Sequence, residues 1–306
     1  MKYDIICLGE ALIDNITINN ITQKNPGGAP FNVAAVTSYN NINTSFIGKI
    51  GNDYEGIIIQ KTANDFHINT DNLLIDNLHP TTQAFVSLDP NGNRSFTFNR
   101  DKSADIYLNK NDINQELFKN TKIFHFGSLS LVNETYDEAT VFSIHLAKAN
   151  NAIISYDPNY RKPLWESEKQ AIETMCRYLH LVDILKISID ELYLITNTND
   201  LTKAIENIKQ YNIKIILITC DKDGAYIYHN NILNKVDTIT IIPVDTTAAG
   251  DIFMGTFLSL LIKNNKSIID ITTNEVINYT QVACEKASLS TTQVGGITSL
   301  QFLSKI

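Results

Sequence analysis

The segment with the clearest chemical content is Pro243-Val-Asp-Thr-Thr-Ala-Ala-Gly-Asp-Ile-Phe253, in which an apolar, strand-like approach gives way to small residues and then to a long apolar helical pattern over Asp251 to Lys263. Small residues at that junction let an anion approach the backbone. The first N–H groups of a helix lack intrahelical partners and lie at the positive end of its dipole, so the amides of Ala248, Ala249, Gly250 and Asp251 form a candidate anion hole. Such a hole suits phosphoryl transfer, where charge must be held on the moving group. The carboxylate of Asp251, at the entry to the same helix, is placed to take a proton from an attacking hydroxyl. The spacing alone is equally that of ordinary turn and helix-start residues, since Asp is favoured at both positions that Asp245 and Asp251 would occupy.

The elements that must carry this junction are legible as alternating strands and helices. Apolar runs at Ile5 to Leu8, Ser45 to Ile50, Ile123 to Phe126, Ile153 to Tyr156, Val182 to Ile187 and Ile215 to Thr219 read as strands buried on both faces. Between and after them, Pro30 to Tyr39, Tyr54 to Asn64, Thr135 to Ala149, Glu168 to Leu179, Leu201 to Tyr211, Asp251 to Lys263 and Glu275 to Leu289 have amphipathic helical spacing. This predicts an α/β fold with a mainly parallel central sheet covered by helices on both faces. Two regions break the rhythm: Ile16 to Ile21, and a hairpin pattern over Thr82 to Phe98 with its turn at Asp89-Pro90-Asn91-Gly92. They predict a small separate sheet that acts as a lid over the site, formed from about 12–24 and 82–108 of a single domain spanning 1–306.

Composition narrows the partners. A net charge of -8 leaves no basic field for nucleic acid and favours a small-molecule substrate. No run approaches the roughly 20 apolar residues of a membrane span, and Asp4 and Glu10 interrupt the N-terminal apolar stretch, so no membrane is expected and a cytoplasmic location is. The four cysteines are widely separated, without Cys-x-x-Cys spacing or a companion histidine, and read as reduced structural thiols.

The run Asp245-Thr-Thr-Ala-Ala-Gly-Asp251 resembles the C-terminal signature of the ribokinase-like (PfkB) carbohydrate kinases, and Asn25-Pro-Gly-Gly-Ala-Pro-Phe-Asn-Val-Ala34 resembles their N-terminal Gly-Gly sugar-binding turn. The resemblance extends from Leu8-Gly-Glu-Ala-Leu-Ile-Asp14 to the Gly295-Gly296 region. Gly-Gly-Ala-Pro at 27–30, Asn99-Arg-Asp-Lys-Ser-Ala-Asp105 and Asp157-Pro-Asn-Tyr-Arg161 are most similar to fructokinases. The resemblance implies the ribokinase-like fold and Asp251 as catalytic base beside the Ala248–Gly250 anion hole. It also implies Asp14, Gly27, Gly28 and Asn32 as sugar-binding residues, with Arg100 in the lid and Arg161 at a strand end gripping the sugar or its phosphate.

For the nucleotide, the resemblance assigns Lys186, Glu191, Thr219, Gly224 and Cys284, with Glu191 organising hydrated Mg2+. It places a monovalent cation, K+, against backbone oxygens of Asp245 and Thr247. Three positions depart from the family pattern: Ser188 stands for Asn, Asp221 for the middle Gly of the nucleotide turn, and Cys284 for an Asn near adenine. The implied activity is ATP-dependent phosphorylation of the primary hydroxyl of fructose to fructose 6-phosphate, with 2-keto-3-deoxygluconate kinase, ribokinase or a non-catalytic sugar-binding paralogue as alternatives. A homodimer is expected, because the exposed edge of the lid hairpin would be covered by a second copy.

Overall fold

The computed structural model describes residues 2–18, 21–88 and 94–306. Its strands are β1 (Ile5–Leu8), β2 (Leu12–Ile18), β3 (Ile21–Gly27), β4 (Thr44–Gly51), β5 (Asn69–Asp76), β6 (Gln83–Leu88), β7 (Arg94–Asn99), β8 (Ile123–Gly127), β9 (Ile153–Asp157), β10 (Ile184–Ser188), β11 (Ile215–Thr219), β12 (Ala225–His229) and β13 (Ile232–Val236). The helices are α1 (Ala29–Tyr39), α2 (Tyr54–Asp65), α3 (Glu134–Ala149), α4 (Glu168–Cys176), α5 (Ile189–Thr196), α6 (Leu201–Ile208), α7 (Ala249–Asn264) and α8 (Thr273–Ser290).

Nine strands form the main sheet in the order β13-β12-β11-β10-β9-β8-β1-β4-β5. The strands from β11 to β5 are parallel, whereas β12 and β13 join antiparallel at one edge. The apolar runs have strand character on both faces because both faces are covered. Ile5 and Cys7 of β1 point into a core shared with α1, α7 and α8, and Ile6 and Leu8 point into a second core with α3, α5 and α6. Burying residues of this kind completely contributes about 1.5–3 kcal/mol each, which is what holds the layers together. The order reverses at β1, whose neighbours are β8 and β4, and in open α/β sheets the crevice at such a switch point, at the carboxyl ends of the strands, is where ligands sit.

The small separate sheet is present, with four strands in the order β3-β2-β6-β7. β6 and β7 form the expected hairpin; its expected turn at Asp89 to Gly92 lies outside the described residues. The first of these regions runs beyond its expected end: Lys24-Asn-Pro-Gly27, which has no strand-like composition, pairs with Leu12 to Asn15 as β3. Two further features are absent from the expected elements: α5, a short helix capped by Ser188 and Glu191, and the antiparallel pair β12 and β13.

One expectation is corrected: the approach to α7 is not a strand. Residues 237–243 have no regular pairing, and the chain is held by the amides of Val244 and Asp245, which both donate to the Thr291 carbonyl at 2.7 and 3.0 Å. Ile242 is 89% exposed and Val244 59%, so the apolar residues that suggested a buried strand face outward.

Candidate functional site

Helix α7 begins unusually. Its N-cap, Ala248, takes φ 60°, a left-handed conformation that costs a non-glycine residue about 1–2 kcal/mol and points to a local function. A left-handed residue leading into helical ones turns successive N–H groups toward one concavity. Among the described residues the amides of Gly250 and Asp251 donate to no protein acceptor, while that of Ile252 already bonds Ala248 O at 2.8 Å. Asp245 makes the loop rigid. Its Oδ1 accepts from the Thr247 amide and hydroxyl at 2.9 and 2.6 Å, and its Oδ2 from the Gly295 amide at 3.0 Å.

Asp251, 9% exposed, faces Asn32 of α1, whose Nδ2 donates to its Oδ2 at 2.7 Å. The Asn32 Oδ1 is buried without a protein partner. Burial pushes the Asp251 carboxyl up to about 7; nearby Asp157 adds to the rise, and the Asn32 bond and the charges of Lys186 and Arg161 oppose it. A carboxylate that titrates near neutral pH is suited to accept a proton and release it.

Asp14 of β2 lies close by and is likewise pushed up to about 7, mainly by burial and also by Asp251 and Asp245, with Arg161 opposing. Arg161 is exposed, and its Nη1 donates to the Tyr160 carbonyl at 3.1 Å. Its charge therefore reaches both carboxylates from the solvent side of the crevice.

The turn between β3 and α1 requires glycine. Gly28 has φ 106°, and a Cβ there would collide with the Glu10 carbonyl, while a Cβ on Gly27 would strike the Asp14 carboxylate. Glu10, 2% exposed, accepts from the Ala29 amide at 3.0 Å and so fixes the first turn of α1, from which Asn32 projects.

Lys186, buried in the middle of β10, bonds Asp157 Oδ2 at 2.9 Å. A Cβ on Gly250 would lie 2.9 Å from its Nζ, so the ammonium sits directly against the start of α7. Asp14, Gly27, Gly28, Asn32, Arg161, Lys186 and the segment Ala248 to Asp251 thus converge on one crevice at the switch point.

Arg100 is corrected. Its guanidinium is 5% exposed, bonds Asp105 Oδ2 through Nε and Nη2 at 2.8 and 2.6 Å, and donates from Nη2 to the Leu129 carbonyl at 2.8 Å. Asp105 in turn accepts from Thr82 Oγ1 at 2.6 Å. The residue is an internal clamp at the root of the small sheet, because its two-pronged fork is closed on a carboxylate of its own chain.

Glu191 is committed to backbone. Its Oε2 accepts from the Ser188 amide at 2.9 Å and its Oε1 from the Tyr160 amide at 2.6 Å, and Ser188 Oγ returns a bond from the Glu191 amide. Ser188 thereby supplies a capping box. Thr219 ends β11, and the turn that follows is closed by Cys220 N to Gly224 O at 2.8 Å. Asp221 adopts φ 47°, the left-handed backbone that a glycine would take there, and its side chain is exposed. Cys284 of α8 is 5% exposed, burial holds its thiol up at about 12, and its carbonyl accepts from Thr238 Oγ1 at 3.2 Å.

Comparison with known proteins identifies the family. The profile of the pfkB family carbohydrate kinases matches residues 2–303. The chain belongs to that family. Fructokinase-2 of Solanum habrochaites is 31% identical over 311 aligned positions, covering 98% of this chain and 94% of the relative. The fructokinase of Vibrio cholerae O395, solved with fructose, ADP and calcium ion bound, superposes with a TM-score of 0.90 at 31% identity over 97% of this chain and 95% of its own. That of Xylella fastidiosa, with ATP bound, also gives 0.90, at 28% identity over 96% and 94%. This pfkB carbohydrate kinase therefore has the ribokinase-like fold and is most similar to fructokinases.

Three features of its site escape sequence reading: Asp157, the counter-ion of Lys186; Glu10, behind the glycine turn; and Asn25, whose buried Nδ2 has no protein partner and which lies across from Asp14 in the β2–β3 pairing. All three stand inside runs that the family resemblance draws on.

Proposed function

We propose that this carbohydrate kinase is a fructokinase, transferring the terminal phosphoryl group of ATP to the primary hydroxyl of fructose to give fructose 6-phosphate. The observation that carries the chemistry is the buried Asn32–Asp251 pair beside the unpartnered amides of Gly250 and Asp251. The choice of fructose is supported by full-length likeness to fructokinases, one of them with fructose bound.

In this reading Asn32 holds the Asp251 carboxylate toward the crevice, and Asp251 accepts the proton of the sugar hydroxyl as that oxygen attacks in line. Asp14, the Gly27–Gly28 turn and Arg161 hold the remaining hydroxyls. The amides at the start of α7 and the Lys186 ammonium stabilise negative charge at the phosphoryl position. The small sheet, rooted by Arg100, Asp105 and Thr82, would lie over the sugar as a lid and keep water out.

The residues fit ATP, since Gly250 has no Cβ to block a phosphate and the adjacent amides are unpartnered. A magnesium ion would neutralise phosphate charge when bound. Glu191, with one lone pair on each oxygen already taken by an amide, fits holding it through water rather than directly. A monovalent cation such as K+ would meet backbone oxygens of the 245–247 loop, because the Asp245 carboxylate is occupied by Thr247 and Gly295.

The test is ADP release with fructose, ribose, glucose, mannose and 2-keto-3-deoxygluconate, each with Mg2+ and with or without K+. The expected outcome is the highest kcat/KM on fructose; a higher value on another sugar overturns the substrate assignment while leaving the kinase intact.

A further inference from the structure

Asp157 makes two bonds that point in different directions. At the carboxyl end of β9 and 2% exposed, it accepts from Lys186 Nζ through Oδ2 at 2.9 Å and from the Asn159 amide through Oδ1 at 3.1 Å. The second bond closes a tight turn in which Asn159 takes φ 45°. Ser128 Oγ donates to the Pro158 carbonyl on one side of that turn, and on the other the Tyr160 amide donates to Glu191 at 2.6 Å. Arg161 is the next residue. One carboxylate thus holds the Lys186 ammonium through one oxygen and closes the turn ahead of Arg161 through the other.

We propose that Asp157 is the positioning residue for Lys186, holding its ammonium against the start of α7, where the transferred phosphoryl group would lie. A role in stability alone explains the arrangement poorly. The backbones of β9 and β10 already pair at Ile184 with Ser155 and Leu185 with Tyr156, and a buried ion pair is on balance a weak source of folding energy. Lysine, by contrast, has a flexible stem with about 2 kcal/mol of rotamer entropy, so an ammonium that must meet a phosphoryl group gains from being held in place beforehand. Among the described residues no other carboxylate is bonded to Lys186.

The proposal rests on the reading of Asp251 as base and of the α7 start as the phosphoryl position, so the experiment includes Asp251→Asn beside Asp157→Asn, Lys186→Gln and the Asp157→Asn/Lys186→Gln double variant. Asp157→Asn keeps one acceptor oxygen but turns an amide donor toward the other donor. Its kcat should fall about 100-fold, the cost of misplacing one preorganised donor, while sugar affinity by calorimetry changes by less than about threefold. Lys186→Gln should behave alike, and the double variant should be no slower than the slower single variant within about threefold, because both act through one arrangement. Without turnover, the affinity for a nonhydrolysable ATP analogue relative to ADP should drop about tenfold in both single variants, the size of one charge-assisted hydrogen bond.

Full kcat in either single variant, additive losses in the double variant, or an unchanged analogue-to-ADP ratio would overturn the inference. Should Asp157→Asn fail to fold, Asp157→Glu, which keeps the charge but moves it by one methylene, decides it: lost kcat with the melting temperature retained supports the positioning role, and full kcat overturns it. Turnover in Asp251→Asn would instead sink the underlying reading, a result distinct from an inactive Asp251→Asn accompanied by active Asp157→Asn and Lys186→Gln.

Discussion

Replacing Asp251 with Asn should trade activity for stability, and the size of each effect follows from the same burial. The variant keeps the shape and the bond from Asn32 Nδ2, because an amide oxygen accepts as a carboxylate does. It removes the proton acceptor, and losing a positioned general base lowers kcat by about 10²–10⁴-fold. The wild-type carboxyl titrates at about 7 in the fold against an ordinary 3.8. Because the folded value is the higher one, its favourable contribution is complete below the unfolded value and is lost as pH rises through about 7. At 1.36 kcal/mol per pH unit, keeping Asp251 ionised at pH 9 costs the fold roughly 4 kcal/mol. Asn does not incur that cost. Asp251→Asn should therefore melt roughly 5–10 °C above wild type at pH 9, and the gap should shrink as the pH is lowered below about 7. Thermal melts at several pH values, alongside single-turnover rates with fructose and ATP, give both numbers. A variant with near wild-type turnover refutes the base assignment; a melting difference that ignores pH refutes the claim that burial sets the proton affinity of this carboxylate.

Further outcomes follow from neighbouring contacts. Wild-type kcat/KM for the sugar should climb as pH rises through about 7, where the free Asp251 and Asp14 carboxyls ionise, and a profile already flat from pH 5 upward would contradict both values. Asn32→Ala removes the hydrogen bond that lowers the affinity of Asp251 for its proton, so the acid limb should move to higher pH, a direction that simple loss of sugar contacts does not predict. Gly250→Ala puts a methyl 2.9 Å from Lys186 Nζ and should lower kcat with little change in melting temperature, read by steady-state kinetics and a thermal scan. Asn25→Ala should raise KM for the sugar without lowering melting temperature, since its Nδ2 has no partner in the protein to lose.

What the sequence could reveal, and what it could not, divides along a physical line. The parallel strands announce themselves because both faces are buried, and α7 does so because it is apolar nearly all round. β3 is invisible by composition, since Lys24 to Gly27 pairs through its backbone and includes Pro26, which has no N–H to donate and argues against a strand by residue type. The approach to α7 misleads for the opposite reason: Ile242 and Val244 look like buried strand residues yet face outward.

At the site, sequence motifs identify groups by type but are blind to which charge each group answers. Arg100 and Arg161 both resemble clamps, and only their partners and exposure separate them. Arg100 is closed on Asp105, whereas Arg161 is exposed and close enough to depress the proton affinity of Asp14 and Asp251. The departures at Ser188 and Asp221 look damaging by residue type, yet Ser188 caps α5 and Asp221 accepts the left-handed backbone of a glycine with its carboxylate turned to solvent. Both substitutions preserve backbone geometry. In the proposed function that geometry, rather than the side chains that differ, is what the turn would present to the nucleotide, so the identities of Ser188 and Asp221 do not argue against the catalytic reading.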